Sequence, residues 1–294
     1  MSAARTPPEV PAGGPPVSIL VDYDGTISRA DIGDALLARH VPDPELLASK
    51  DREYDAGRIG SRALMRWDMD VLPHDAALLR AEAAAMPQDQ AFRDFVAEAE
   101  ARGIAVEVVS DGLGFYVADN LARLGLAHLP LATNANRVAG GGAAMSFPYG
   151  HPACFVCGTC KRERVRAHQA LGRVVAYIGD GTSDRYAAFH AELVLAKDSL
   201  ARFCETAAWP YRSWSDFREL TAWLVSTEST AWPRSAGEAA AWRARHPSMA
   251  ARAARDRAAG SPGARDLEVR DTASPDEAFI CGPEAWGPGR DRPA

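Results

Sequence analysis

The stretch that decides the fold is Asp22-Tyr23-Asp24-Gly25-Thr26, which directly follows the apolar run Val17-Ser18-Ile19-Leu20-Val21. A β-branched run of this kind is typical of a buried strand, and its end places two carboxylates at the edge of a sheet. Gly25 permits a sharp exit from that edge. Because burying two acids together is costly unless they bind a cation or share a proton, the pattern predicts a catalytic edge. One carboxylate would act as a nucleophile while its neighbour moves a proton.

A second apolar run, residues 104–109, ends at Ser110-Asp111-Gly112 and is followed by a predicted helix over residues 115–124. Helix N-termini present free backbone N–H groups and the positive end of a dipole, an arrangement that suits a phosphate group. Ser110 is therefore either a phosphate ligand or an ordinary helix cap.

The third part of the pattern lies further along the chain. Lys161 begins an amphipathic stretch that runs to Leu171, and residues 174–178 form another apolar run that ends in Gly179-Asp180-Gly181-Thr182-Ser183-Asp184. The two acids of this turn are placed to face one point beyond the strand. A hard cation such as Mg²⁺ prefers such oxygen ligands. Taken singly, Lys161 is typical of a surface residue and the two acids are typical of a turn. Only the order of the motifs along the chain favours a functional site.

Strand-DxDGT, strand-S, K and strand-GDxxxD, in this order, resemble the four motifs of the haloacid-dehalogenase-like phosphatases. Within them, Asp22 to Ser28 and the Cys-rich segment before Lys161 resemble subfamily IB, in the branch of methionine-salvage and phosphoserine phosphatases. The salvage enzymes act on 2-hydroxy-3-keto-5-methylthiopentenyl-1-phosphate. Alternation of strands and helices predicts an α/β fold, a Rossmann-like parallel sheet with helices on both faces. The resemblance adds a small all-helical C1-type cap.

The resemblance also implies a role for each motif residue. Asp22 would be the nucleophile that forms an aspartyl-phosphate, and Asp24 would be the acid and base. The phosphate ligands would be Ser110, Gly112 and Lys161, and the Mg²⁺ ligands would be Asp22, Asp24 through its backbone carbonyl, Asp180 and Asp184. The implied function is Mg²⁺-dependent hydrolysis of a small-molecule phosphomonoester, of the salvage type. Phosphoserine, phosphocholine or phosphoethanolamine, or transfer of the phosphoryl group to a hydroxyl, are the alternatives.

Two acids bear on the substrate. Asp111 stands where the salvage and phosphoserine enzymes usually have glycine, and in this the chain more closely resembles the phosphocholine-type enzymes. A carboxylate facing the phosphate would repel it, so we expect Asp111 to point away or to contact a cationic substrate. Asp31 either contacts an amine or hydroxyl of the substrate or caps a helix.

Composition shifts divide the chain into segments. Residues 1–16 form a predicted disordered arm, 17–28 and 102–226 the catalytic core, and 29–101 the helical cap. The predicted cap helices span residues 31–40, 44–56, 61–71, 74–85 and 90–101.

Residues 129–133 and 193–195 are further predicted strands, and 134–150 form either a β-hairpin or a loose flap. Residues 215–225 are expected to close the core. Residues 230–294 form a partly disordered Ala/Arg/Pro-rich tail, with a helix over 237–258 that Pro247 interrupts and an apolar island at 279–286 that either docks or is idle.

Charge and hydropathy narrow the function classes. The chain has 294 residues, 33 of them basic and 39 acidic, with a net charge of −6 and no basic block. Nucleic-acid and membrane-surface partners are therefore not expected. No window approaches the ~18 apolar residues of a membrane span, and residues 1–16 lack the apolar core of a signal peptide. We expect a cytoplasmic enzyme, and the sequence makes no prediction of its oligomeric state.

Two further hypotheses are open. Cys154, Cys157 and Cys160 beside His151 have spacing that suits zinc, or they are reduced thiols in the loop that carries Lys161. In a different class, the chain would be a non-catalytic binding protein that uses its tail. The retention of every chemically necessary motif residue argues against this reading.

Overall fold

The computed structural model describes residues 14–55, 58–139, 142–151, 156–226 and 232–259. Most of the predicted N-terminal arm, Cys154 and the apolar island at 279–286 lie outside these ranges. Within them, no helix is long and apolar enough to cross a membrane.

The core is a six-stranded sheet in which every neighbouring pair of strands is parallel, in the order β3-β2-β1-β6-β7-β8. Its strands are β1 (Val17–Val21), β2 (Ala105–Val109), β3 (Leu131–Ala132), β6 (Val174–Gly179), β7 (Leu193–Ala196) and β8 (Arg212–Ser213). β1 is central, and Ile19 is paired with Val106 on one side and with Ala176 on the other. The three motif strands are therefore adjacent, which brings their carboxyl ends to one edge.

The strands are buried on both faces because successive side chains alternate between two apolar clusters. Ile19 and Ile178 belong to one cluster, and Leu20 and Tyr177 belong to the other. Up to residue 226, the helices outside the cap are α5 (Phe92–Ala101), α6 (Gly114–Arg123), α7 (Lys161–Ala170), α8 (Arg185–His190), α9 (Asp198–Thr206) and α10 (Phe217–Leu224). The predicted Rossmann-like fold, with helices on both faces, is confirmed.

Five helices lie between β1 and β2, where the sequence predicts them. The first four are α1 (Ile32–His40), α2 (Pro44–Asp55), α3 (Ser61–Val71) and α4 (Ala76–Ala85). α4 begins two residues later than predicted because Asp75 caps it, accepting hydrogen bonds from the backbone N–H groups of Ala77 and Leu78. α5 packs on the sheet side instead, where the Phe92 ring centroid lies 4.7 Å from that of Phe217 in α10.

The segment left open at residues 134–150 contains a β-hairpin. Its strands β4 (Ala135–Ala139) and β5 (Gly142–Ser146) pair antiparallel, and β5 packs against α3 of the cap. Further on, α11 (Ala236–Arg245) and α12 (Met249–Ala258) are separated near Pro247, as predicted. Ala239, Trp242 and Ala253 are buried against the core clusters. Residues 232–259 of the tail are therefore part of the packed structure.

Candidate active site

The predicted site residues meet at the carboxyl edge of the sheet. Asp22 follows β1 and is only 5% exposed, and its backbone N–H donates to the carbonyl of Ile178 in β6 at 2.9 Å. Lys161 is the first residue of α7, which places its side chain over the same edge. Asp180 follows β6, and Asp184 ends the 3₁₀ turn Thr182–Asp184.

The ammonium group of Lys161 lies between two of the carboxylates. Its Nζ donates to Asp22 Oδ1 at 2.6 Å, to Asp184 Oδ1 at 2.7 Å and to Ser183 Oγ at 2.9 Å. Burial would lower the pKa of Lys161, but the charges of Asp184 and Asp22 outweigh it and hold the pKa well above its usual value. Lys161 is therefore a fixed cation beside Asp22.

Asp184 is the most heavily bonded carboxylate of the site. Its Oδ1 accepts from Lys161 and from the Tyr177 hydroxyl at 2.5 Å, and its Oδ2 accepts from the backbone N–H groups of Asp180 at 3.0 Å and Gly181 at 2.9 Å. A carboxylate has about four lone-pair sites, so all of those of Asp184 are engaged. The side chain fixes Lys161 and the turn together, and its contact with a cation would run through a water or require one of these donors to shift.

Oxygen atoms of Asp22, Asp180 and Asp184 all lie within 4.8 Å of one another. Thr26 Oγ1 donates to Asp180 Oδ1 at 2.7 Å and orients it. Burial and the charge of Asp184 raise the pKa of Asp180 to about 7, and burial followed by Asp184 raises that of Asp22 well above its usual value. Buried carboxylates this close together repel one another, and a hard divalent cation relieves that repulsion. The donor set therefore fits Mg²⁺.

Asp24 lies on the cavity side of the same edge. Its Oδ1 accepts from the backbone N–H of Ile32 at 3.1 Å and its Oδ2 accepts from the Tyr116 hydroxyl at 2.8 Å. Burial, with the charge of Asp31 added, raises the pKa of Asp24 well above its usual value. A carboxyl group whose pKa is raised keeps its proton to higher pH, which suits a general acid.

The loop after β2 approaches Asp24 closely. A side chain at Gly112 would collide with the Asp24 carboxylate and the Tyr116 hydroxyl, and would force both out of their hydrogen bond. Ser110 is fully buried, and its Oγ accepts from the backbone N–H of Gly112 at 3.0 Å. Gly112 lines the cavity, whereas Ser110 lies behind it. Two of the predicted phosphate ligands, Ser110 and Gly112, therefore lie beside Asp24 but are bonded to each other.

Asp111 connects the core to the cap. Its Oδ2 accepts from the hydroxyl of Ser61, the first residue of α3, at 2.5 Å. Its Oδ1 accepts from the backbone N–H of Thr159 at 2.8 Å and from Asn134 Nδ2 at 3.1 Å. The carboxylate is thus occupied by protein donors. Asp31, for its part, caps α1 by accepting from the backbone N–H of Asp34 at 2.9 Å.

A cavity of about 440 Å³ separates the catalytic edge from the cap. The cap side is formed by α1, α2 and α3, through Gly33, Asp34, Leu37, Leu47, Asp51, Tyr54, Ser61, Leu64, Met65, Trp67 and Asp68. A cap closed over a site excludes water and contacts the part of the substrate that does not react.

The zinc hypothesis finds no support in the part of the chain that is described. Cys157 and Cys160 are not in disulfides there, and the one cluster with metal-ligand spacing is the acidic one. Burial raises the pKa of Cys160, whereas a ligand must be a thiolate. Cys154 lies outside the described residues.

Several residues of the site did not stand out in the sequence. Tyr116 has the spacing of an ordinary core residue of α6, and Tyr177 reads as part of the β6 run. Thr26 could have been predicted, because it belongs to the DxDGT motif. Its hydroxyl lies close in sequence to Asp22 and Asp24, and it donates to Asp180. Ser61 is the first residue of a helix, and nothing in the sequence around it indicates the hydrogen bond to Asp111.

Comparisons with known proteins agree with this geometry. The family model described as haloacid dehalogenase-like hydrolase matches residues 19–188, more than half of the chain. The chain is 26% identical over 219 residues to the 2-hydroxy-3-keto-5-methylthiopentenyl-1-phosphate phosphatase of Exiguobacterium sibiricum, covering 72% of this chain and 98% of that protein. The protein of the same name from Brevibacillus brevis is 24% identical, over 69% of this chain and 92% of its own.

Among solved structures, a phospho-aspartyl intermediate analogue of phosphoserine phosphatase superposes with a TM-score of 0.52 at 20% identity. The match covers 70% of this chain and 98% of that one. At this identity the likeness concerns the fold.

Proposed function

The chain belongs to the haloacid dehalogenase-like hydrolases, and from the geometry of its site we propose that it is a Mg²⁺-dependent phosphatase of small-molecule phosphomonoesters. The observation that carries the proposal is the position of Asp22. It lies at the floor of a capped cavity, bonded to a buried lysine and clustered with two further carboxylates.

In this proposal, a carboxylate oxygen of Asp22 attacks phosphorus. The new Asp22 O–P bond forms as the ester P–O bond breaks, and Asp24 gives its proton to the leaving oxygen. Asp24 then takes a proton from a water molecule, which attacks phosphorus and releases Asp22. Lys161 balances charge on the phosphoryl oxygens. Ser110 and the backbone N–H of Gly112 would bind these oxygens after giving up the hydrogen bond that they make to each other.

Mg²⁺ would be held by Asp22, Asp180 and the backbone carbonyl of Asp24, with Asp184 behind them. When bound, it supplies positive charge that offsets the negative charge of the transferring phosphoryl group. The residues of this chain position the ester, carry the proton and exclude bulk water from the cavity.

Because the relatives are named for it, 2-hydroxy-3-keto-5-methylthiopentenyl-1-phosphate is one ester to test. Identities of 24–26% do not identify the alcohol half of the substrate. That half would contact the residues of the cap, and function depends on the residues of the site more than on the fold.

The test is phosphate release from a panel of metabolite phosphomonoesters, with wild type and Asp22→Asn compared with and without Mg²⁺. The proposal expects release by wild type that a chelator abolishes and that Asp22→Asn lacks. Release that persists in Asp22→Asn would show that another group is the nucleophile, and no release from any ester would point to phosphotransfer or to a binding role.

A further inference from the structure

The cap side of the cavity carries more acid than the catalysis uses. Asp31, Asp34, Asp51 and Asp68 line it, all of them outside the group of carboxylates that surrounds Lys161. Within the described residues, Lys161 is the one basic side chain of the lining, and it is engaged by Asp22 and Asp184. The alcohol half of a bound ester therefore meets a wall of carboxyl groups.

Asp68, in the middle of α3, is the distinctive residue of this wall. It is 2% exposed, and its Oδ1 has no hydrogen-bond partner. A buried carboxylate without a partner is destabilising and is normally satisfied by a cation or a donor. In agreement with this, burial, followed by the charges of Asp34, Asp31 and Asp51, raises its pKa to about 8. Asp68 also lines the cavity, so a cationic group bound there would lie beside this carboxylate.

Neighbouring basic side chains do not supply that partner. On α3 itself, Arg62 donates to the carbonyl of Cys157 at 2.6 Å, and the guanidinium of Arg66 lies 5.0 Å from the centre of the Phe147 ring. On α2, Lys50 Nζ pairs with Glu53 at 2.8 Å. None of these three lines the cavity.

A second metal ion is a poor candidate for the occupant. In the described part of the chain, the carboxylates that come within metal-ligand spacing are those of Asp22, Asp180 and Asp184, and the cap acids do not join them. Carboxylates spread over a wider wall suit an organic cation. Tyr54, Trp67 and Met65 line the same side and offer apolar and aromatic surface to its carbon atoms.

We propose that the cap cavity selects phosphomonoesters whose alcohol carries an ammonium group, with Asp68 as the residue that binds it. The inference rests on the proposed phosphatase function and names its substrate class. It separates this chain from the relatives, since the ester in their names contains hydroxyl, keto and methylthio groups but no amine. It also disfavours an ester with a free carboxylate, which the same acids would repel.

Matched esters test the proposal. Phosphocholine and 3,3-dimethylbutyl phosphate have nearly the same shape and differ by the positive charge, as phosphoethanolamine and propyl phosphate do. We expect kcat/KM to favour the cationic member of at least one pair by roughly 10- to 100-fold. For phosphoethanolamine this is the range of a charged hydrogen bond, whereas the quaternary ammonium of phosphocholine has no N–H and would be held by its charge alone. Equal or better turnover of both neutral esters would overturn the proposal.

Asp68→Asn should abolish most of that preference. The KM for the cationic ester should rise by about tenfold or more, while the neutral ester is unaffected. Asp70→Asn is the matched control, because Asp70 lies on the same helix but is exposed and should keep wild-type values. A loss that is equal for cationic and neutral esters would show that Asp68 is merely structural.

Binding separates this inference from the proposed function. Calorimetry on Asp22→Asn, which should bind esters without turning them over, is compared with the Asp22→Asn/Asp68→Asn double variant. Preferential binding of the cationic ester that the double variant loses would support the inference even if wild type releases no phosphate. Equal binding of both esters, or no binding of either, would refute it even if wild type is an active phosphatase.

Discussion

The hydroxyl of Tyr116 lies 2.8 Å from Oδ2 of Asp24, across 92 residues of sequence. Tyr116 comes from the first turn of α6, and Asp24 from the loop after β1. The hydrogen bond fixes the orientation of the proposed proton carrier and stabilises its charged form, which lowers the pKa that burial raises.

Tyr116→Phe should therefore shift the pH profile of the enzyme. Without the hydroxyl, the pKa of Asp24 rises, so Asp24 keeps its proton to higher pH and the basic limb of the kcat profile moves up by about one unit. The rate at the optimum should fall about tenfold because the carboxyl is less well oriented. Tyr23→Phe is the control, since the Tyr23 hydroxyl donates to Gln88 at 2.6 Å. An unchanged profile in Tyr116→Phe would contradict a role at Asp24.

Lys161→Met should remove both activity and stability. Loss of a preorganised cation should reduce kcat by at least about 100-fold. Because Asp22 and Asp184 then lack their shared partner, unfolding free energy without a divalent cation should drop by about 3–5 kcal/mol. Mg²⁺ should restore part of that loss, as measured by denaturant unfolding with and without the ion. Lys50→Met, in a partly exposed pair on the cap, should show neither effect, and the same drop in both variants would refute this account.

Ser61→Ala should loosen the attachment of α3 to the core. The Ser61 hydroxyl donates to Asp111 at 2.5 Å and accepts from the backbone N–H of Gly158 at 3.0 Å. Its loss should cost about 1–3 kcal/mol of unfolding free energy and raise KM more than it lowers kcat. Ser146→Ala, at an exposed hydroxyl of the hairpin, provides the comparison. A variant with wild-type stability and KM would show that the cap is held elsewhere.

Asp68→Asn should make the protein more stable, and increasingly so as pH rises. The pKa of Asp68 is raised from 3.8 to about 8 in the folded state. A raised pKa favours folding fully below the unfolded value, and that contribution is lost as pH rises through the folded value. Asparagine has no proton to lose, so its advantage grows between pH 4 and 8 by at most about 1.4 kcal/mol per pH unit.

Asp34, Asp31 and Asp51 face Asp68 from α1 and α2, while the hairpin strand packed on α3 has no titratable side chain. Thermal unfolding at pH 5.5 and 7.5, with Asp70→Asn as the control, measures the difference. A gain that does not depend on pH would argue against a raised pKa. If Asp68→Asn stabilises the folded protein, Asp68 is kept for binding and not for stability.

The sequence predicted the central sheet because β1, β2 and β6 are contiguous apolar runs, as strands buried on both faces must be. The edge strands were harder. β3 is two residues long where five were predicted, and β8 was not predicted, because Arg212–Ser213 has no apolar pattern. Short edge strands are defined by their neighbours more than by their own residues.

The site shows the same division. Asp22, Asp24, Lys161, Asp180 and Asp184 were predicted together because each follows a strand or begins a helix at one edge of the sheet. The Ser61–Asp111 bond and the burial of Asp68 depend on how the cap helices lie over the core. A carboxylate on an amphipathic helix is normally predicted to be solvent-exposed, and only the tertiary structure shows that Asp68 is buried and lines the cavity.

The most direct test of the central claim is to trap the proposed aspartyl-phosphate. Wild type is quenched during turnover of its best ester and treated with borohydride, which reduces an acyl phosphate to the alcohol and so converts the aspartate to homoserine. Peptide mass spectrometry then locates the change. The account predicts homoserine at position 22, none at Asp24, and none in a sample that received no ester. Phosphate release with homoserine at another position, or with no trapped residue at all, would contradict Asp22 as the nucleophile.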